Sequence, residues 1–254
     1  MEQTWPWSDR RCFNLSAAPD EGSAQLTAED EQHLVRVLRA RVGERILGLD
    51  GRGCAWPLSV TAVSRDEVRL EPDGEPYREP PPGEPGSRIG QVELAVAWPR
   101  PQVGEELLDG LVQLGCARVV ALVTERSQEW GREWNAARRA RLERASREAC
   151  KQARRLWPIE LSGPVSFEEW LSSAEFAPEK TVALEPRAAT SLEEFTRRAR
   201  ALPGRIVVAI GPEGGWSPSE LQALAERRVE LASLRTCVLR TELAAQAAAA
   251  IALH

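Results

Sequence analysis

A strand-like run, Ile206-Val207-Val208-Ala209-Ile210, breaks into Gly211-Pro212-Glu213-Gly214-Gly215-Trp216, and Ser217-Pro218-Ser219-Glu220 follows at once. A serine followed by proline at the next position and glutamate at the third is the pattern of a reciprocally capped helix start. Glycines between strand and helix let a ligand approach the backbone, and in open α/β sheets ligands bind beyond the carboxyl ends of the strands. The segment has neither the G-x-G-x-x-G spacing of a dinucleotide site nor a P-loop, so it argues against those ligands. Taken alone it also serves as a plain tight turn. A second segment runs from a strand, Leu231-Ala232-Ser233-Leu234, through Arg235-Thr236-Cys237-Val238-Leu239 into Arg240-Thr241-Glu242-Leu243-Ala244-Ala245, where an alanine-rich helix starts. Arg240 and Glu242 at that start suit a polarising cation with a carboxylate partner, or simply a surface ion pair.

Two kinds of scaffold are implied around these segments. Between Arg45–Leu49, Ala55–Val63 and Glu67–Leu70, short β-type runs are punctuated by Asp50-Gly51-Arg52-Gly53 and Ser64-Arg65-Asp66, the pattern of a small hairpin-rich barrel. Thr27 to Glu31 opens a short capped helix that runs through His33, Leu34, Val37 and Leu38 and ends near Gly43. Glu71 to Gly90 is dense in proline, glycine and charge and is expected to form no packed element. Beyond it the apolar runs Val92–Ala97, Val119–Val123, Pro158–Leu161, Thr181–Leu184, Arg205–Ile210 and Leu231–Leu234 alternate with helical spacers, which predicts a mostly parallel α/β sheet. The expected division is therefore 1–72 for the barrel, 73–90 for the linker and 91–254 for the α/β domain.

The 254 residues suffice for two modest cores without metal or disulfide support. Five scattered cysteines, with no C-x-x-C pair, read as reduced thiols of a cytoplasmic protein. The first eleven residues, Trp-Pro-Trp included, carry no apolar signal core, and no apolar run is long enough to span a bilayer. The net charge of −5 disfavours a polyanion partner only on average. Arg138, Arg139, Arg141, Arg144, Arg147, Lys151, Arg154 and Arg155 face only Glu143 and Glu148 along a predicted amphipathic helix, Asn135 to Ala153. That is a local basic surface, suited to RNA or to plain solvation.

The strand–GPEGGW–S-x-x-E turn, followed downstream by L-R-T-E-L-A-A, resembles the RsmE family of 16S rRNA uracil-N3 methyltransferases, a branch of the SPOUT superfamily. Other segments agree in order: Arg11 with Phe13, Glu31 to Arg39, Val42-Gly43-Glu44, Leu49 to Gly53, Leu114-Gly115-Cys116, Thr124-Glu125-Arg126-Ser127, and Glu148 to Pro158. The resemblance implies a trefoil-knotted SPOUT domain with a mostly parallel sheet, preceded by a small PUA-like RNA-binding β-barrel. It further implies a homodimer that binds S-adenosylmethionine (SAM), acts on the small ribosomal subunit's 16S rRNA, and needs neither metal nor membrane.

Carried over by position, the resemblance makes Leu184-Glu185-Pro186, Ile210 to Gly215 and Leu234 to Leu239 the cofactor loops, sets Arg240, Thr241 and Glu242 beside the transferred methyl, and places cofactor contacts at Leu184, Glu185, Pro186, Ile210, Gly211, Pro212, Glu213, Gly214, Gly215, Leu234, Val238, Leu239, Arg240 and Ala244. Arg240 and Glu242 are the expected catalytic pair: Arg240 polarises a uracil carbonyl, while Glu242 orients Arg240 or helps receive the N3 proton. RNA contacts are expected from Arg11, His33, Arg36 and Arg39 on the small domain and from Arg126, Arg147, Lys151 and Arg155 on the large one. The chain departs from the family pattern at Arg235, where relatives have glycine, at Leu243 in place of threonine, and at Gly110 to Gly115, where a lysine and a glutamate are missing. Those departures define two alternatives: a SPOUT-fold RNA-binding protein without methyl transfer, and a SPOUT enzyme acting on another RNA.

Overall fold

The computed structural model describes residues 9–19, 22–65, 67–173, 176–235 and 237–254. The chain divides into two compact units, Met1–Ser87 with Cys150–Pro158, and Arg88–Ala149 with Ile159–His254.

In the first unit, β1 (Cys12–Asn14), β2 (Arg45–Leu49), β3 (Cys54–Val63) and β4 (Val68–Pro72) lie side by side in that order, with β5 (Tyr77–Arg78) added to β3. β1 runs parallel to β2 and the other pairs are antiparallel. Bridges Leu15–Leu26 and Ala24–Leu70 join the β1 side of the sheet to β4, so the sheet curls on itself around Phe13, Leu26, Leu34, Ile46, Leu58, Val60 and Leu70. Thr27 caps α1 (Ala28–Gln32), its hydroxyl accepting from the Asp30 amide at 3.4 Å, and a π-helical turn, His33–Val37, follows. The helix therefore stops at Leu38, earlier than its apolar pattern suggested. β5 also falls inside the proline-rich stretch expected to be unstructured: Tyr77 and Arg78 pair with Ala55 and Cys54, because an edge strand needs only two free backbone groups on its neighbour. The segment after Ala153 completes this unit. Leu156 packs with Leu49 and Ala55, and the Trp157 indole donates to the Glu79 carbonyl at 3.0 Å. A side chain at Gly53, whose φ is +90°, would lie 2.6 Å from the Trp157 ring.

The second unit holds one seven-stranded parallel sheet. Its strands are β6 (Gly90–Ala97), β7 (Cys116–Val123), β8 (Glu160–Ser166), β9 (Thr181–Leu184), β10 (Thr190–Ser191), β11 (Ile206–Ile210) and β12 (Glu230–Ser233), in the order β10-β12-β9-β11-β6-β7-β8. The inner strands are nearly continuous runs of buried aliphatics, as expected where helices cover both faces. The helices are α2 (Pro101–Leu114), α3 (Glu129–Arg132), α4 (Ala136–Ala153), α5 (Phe167–Leu171), α6 (Leu192–Ala199), α7 (Pro218–Glu226) and α8 (Thr241–Leu253), with a 3-10 turn at Pro178–Lys180. On one face α8 buries Ala245, Ala248, Ala249 and Ala252 and packs against β6 and α2, where Gly110 admits Gln246. On the other, Phe167, Trp170, Trp216 and Leu224 pack with Ala95, Val120, Leu122, Ala183 and Ala209. β10, only two residues long, carries no readable period and was not anticipated.

Candidate functional site

Three loops meet at the carboxyl ends of β9, β11 and β12. Leu184-Glu185-Pro186 follows from β9, Ile210 to Glu213 and Gly215 from β11, and Ser233 to Arg235 with Cys237 to Leu239 from β12, and together with Trp216, Thr241 and Ala244 they line an open cleft of about 140 Å³.

The loops are tied to one another by named bonds. The Trp216 indole, buried under the turn, donates to the Leu184 carbonyl at 2.9 Å; the Glu185 amide donates to the Ala232 carbonyl at 2.9 Å; the Thr241 hydroxyl donates to the Gly211 carbonyl at 3.4 Å. The Gly211–Trp216 turn closes on itself through the Gly215 amide and the Pro212 carbonyl, 2.8 Å apart, with Gly215 at φ +68°, a conformation that favours glycine. α7 then starts as the sequence pattern implied. The Ser217 hydroxyl accepts from the Glu220 amide at 3.2 Å, and the Glu220 carboxylate accepts from the Ser217 amide at 2.8 Å.

Of the residues expected around a cofactor, all but Gly214 and Arg240 line this cleft. Gly214 turns its free side to the Arg126 side chain, 3.3 Å from where a Cβ would stand. Arg240 is the exposed N-cap residue of α8, one position before Thr241, and Glu242 sits half-buried in the first turn of that helix. The cleft also takes in Arg235 and Cys237 of the expected loop Leu234 to Leu239 and Thr241 of the segment expected beside the methyl group, together with Trp216, Ala232 and Ser233, which sequence reasoning did not select. Trp216 abuts the glycine-rich motif and could have been read from it; nothing in the pattern marked Ala232 or Ser233. Thr236 of the expected loop lies outside the described residues. At the non-family position, Arg235 takes the left-handed backbone a glycine would take, φ +50°, and its guanidinium donates to the Ala189 carbonyl at 2.7 Å. The arginine thus keeps the turn, with strain on the order of 1–2 kcal/mol.

The expected RNA contacts separate into two groups. Arg11, His33, Arg36, Arg39, Arg126 and Arg147 are exposed. Lys151 and Arg155 instead turn inward: the Lys151 ammonium lies 2.6 Å from the buried Asp30 carboxylate, and Arg155, 4% exposed, donates its Nε to the Trp157 carbonyl. Arg126 donates to the Gly214 carbonyl at 2.7 Å and to the Trp216 carbonyl at 3.3 Å. Beside it, hydrogen bonds from the Ser217 and Ser219 hydroxyls hold the exposed Glu125 carboxyl below its ordinary value. Among the described residues no group of three or more His, Cys, Asp or Glu side chains is placed to hold a metal.

A seven-stranded parallel sheet with an open cleft at the carboxyl ends of its strands, on a chain that also carries a separate small β-rich unit, defines a two-unit α/β protein whose cleft stands where such sheets bind small molecules. The chain belongs to the RNA methyltransferase family: residues 86–253 match the family described as RNA methyltransferase domain, and residues 26–73 match RNA methyltransferase PUA domain. It is similar to ribosomal RNA small subunit methyltransferase E of Synechocystis, with 28% identity over 90% of this chain and 73% of that protein. Among solved structures it resembles a Legionella pneumophila methyltransferase in complex with SAM (TM-score 0.76, 22% identity, 96% of each chain). A ribosomal RNA small subunit methyltransferase E from Neisseria gonorrhoeae bound to SAM gives a TM-score of 0.74 at 24% identity, covering 95% of each chain.

Proposed function

We propose that this protein methylates N3 of a uracil in 16S rRNA with SAM as donor, acting as a cytoplasmic homodimer on the small ribosomal subunit. The observation that carries the reading is the convergence of the loops after β9, β11 and β12 on one cleft, cross-linked by the Trp216, Glu185 and Thr241 bonds. The residues fit the donor. Leu184, Ile210 and Leu239 offer apolar surface to an adenosyl group, and the peptide groups of three irregular loops offer hydrogen bonds. When bound, SAM supplies an electrophilic methyl group. The names of the Synechocystis and Neisseria relatives support ribosomal RNA as the substrate.

Uracil N3–H is a weak acid, so the protein's task is to favour its anion and hold it in line. Arg240 stands at the positive end of α8, where the guanidinium and the helix's free amides both stabilise negative charge developing on a uracil carbonyl. Glu242, in the first turn of α8, orients Arg240 or accepts the proton. The uracil has to leave its stack to reach such a cleft, which favours an unpaired site in the RNA. Arg11, His33, Arg36, Arg39 and Arg147 provide phosphate contacts whose strength falls with salt. The exposed apolar side chains of Val238 (85%) and Leu243 (51%) beside the cleft are surface that a second subunit would cover. The knot implied by the resemblance belongs to the same reading.

The test is incubation of the purified chain with methyl-labelled SAM and small ribosomal subunits, followed by nucleoside mass mapping. Label in 3-methyluridine is expected. Arg240→Ala should lower turnover about 10²–10³-fold with SAM affinity nearly intact. Label in a ribose, or none with SAM bound, would reject the assignment.

A further inference from the structure

We propose that Arg126 and Glu220 are positioning residues that clamp the turn Gly211–Trp216 from its outer side, so that they set affinity for the donor and do not contact RNA. The proposal rests on reading the cleft as the SAM site.

Glu220 does more than a helix cap requires. One carboxylate oxygen accepts from the Ser217 amide at 2.8 Å, which completes the cap. The other accepts, also at 2.8 Å, from the amide of Glu125 in the loop after β7. The side chain is only 4% exposed, so each oxygen is spent on a backbone N–H with little water to replace it. The Glu125 carboxylate answers by accepting from the Ser219 hydroxyl at 3.0 Å, and Arg132 donates to the Glu125 carbonyl at 3.1 Å from the other side. With Glu125 pinned, Arg126 follows in sequence with its guanidinium on the carbonyls of Gly214 and Trp216. The loop that presents it is itself closed, the Thr124 amide donating to the Ser127 hydroxyl at 2.9 Å.

The opposite side of the same turn lines the cleft, and its first carbonyl, that of Gly211, is held by Thr241. The turn is therefore gripped at both ends: by Thr241 at the α8 end, and by Arg126 and Glu220 at the α7 end. A glycine-rich turn has many backbone states to lose when it binds a ligand, and a clamp that removes them beforehand raises affinity. Burial of Glu220 explains why only a carboxylate serves. A glutamine would set its NH₂ group against one of the two amide donors.

The experiment compares Arg126→Ala, Arg126→Lys and Glu220→Gln with the unaltered full-length chain. Backbone amide exchange in ligand-free protein is the first readout. Faster exchange confined to Gly215, Ser217 and Glu125 is expected, with the β6, β7 and β11 amides unchanged. The second readout is SAM binding and turnover. The SAM KM should rise about tenfold in Arg126→Ala, with partial recovery in Arg126→Lys, while kcat at saturating SAM and the salt-dependent RNA Kd stay put. A weaker RNA Kd with an unmoved SAM KM would overturn the proposal, since the guanidinium would then be an RNA contact. Failure of the unaltered chain to bind SAM would sink the donor-site reading alone. In that case unchanged exchange at the turn in the variants still rejects the clamp, and faster exchange there supports it.

Discussion

Replacing Trp216 by phenylalanine tests whether the cleft is held together by the bonds between its loops. The indole is buried beneath the turn, donates to the Leu184 carbonyl at 2.9 Å, and packs 5.8 Å from the Phe167 ring centre. Phenylalanine keeps the second contact and loses the first. A neutral hydrogen bond in such a place contributes about 1 kcal/mol net. The ring atoms removed leave a void costing on the order of another 1 kcal/mol. The total, about 2 kcal/mol, corresponds to a fall of roughly 4–8 °C in Tm for a unit of this size. Trp98→Phe is the control, because the buried Trp98 Nε1 has no hydrogen-bond partner among the described residues, so its replacement breaks no such bond. The assays are thermal unfolding and calorimetric titration with SAM. Trp216→Phe should fall further in Tm than Trp98→Phe and should weaken SAM binding about tenfold, because the loop after β9 loses its tether. Equal Tm values for the two variants, with SAM affinity unaltered, would refute the reasoning.

Three further outcomes are expected. Cys237 is exposed on the cleft while Cys150 is buried, its thiol pushed up to about 11, so a maleimide should label Cys237 at neutral pH, SAM should slow that labelling, and Cys150 should stay unmodified, as peptide mapping would record. Asp30→Asn would neutralise the buried carboxylate that the Lys151 ammonium meets at 2.6 Å, costing about 3–5 kcal/mol, which denaturant unfolding of the full chain measures. The Glu125 carboxyl is held below its ordinary 4.5 by the Ser217 and Ser219 hydroxyls, so its stabilising effect is complete above that value and disappears as the pH drops through its lower folded value. Glu125→Gln should flatten that acid limb of a Tm-against-pH curve.

What could be read beforehand follows from what periodicity encodes. The buried parallel strands announce themselves as aliphatic runs, and β2 and β9 occupy the very residues expected, because continuous burial leaves one period possible. The helix start at Ser217 was legible because capping chemistry is local: its donors and acceptors lie within three residues. Long-range partners were not legible. Nothing in the sequence near Lys151 or Arg155 says that one pairs with Asp30 and the other turns into the protein, since a basic helix face looks the same whether it meets water, phosphate or a distant carboxylate. Arg235 shows the converse. Its departure from glycine stands out in the sequence, yet the backbone keeps the left-handed turn and the side chain finds the Ala189 carbonyl. Ala232 and Ser233 entered the cleft with no mark at all, because small residues at a strand end are chosen by space and not by chemistry.

The first unit is assembled from two pieces of chain, Met1–Ser87 and Cys150–Pro158. No single cut can therefore release it whole. A fragment ending at Ser87 would lack Leu156, which packs with Leu49 and Ala55, and Trp157, whose indole bonds Glu79, and it would leave the Asp30 carboxylate without its ammonium. The small PUA-like piece is thus not detachable as one contiguous stretch of chain. It is inherited with the helix that passes through residue 150, and any graft onto another enzyme would have to carry both stretches.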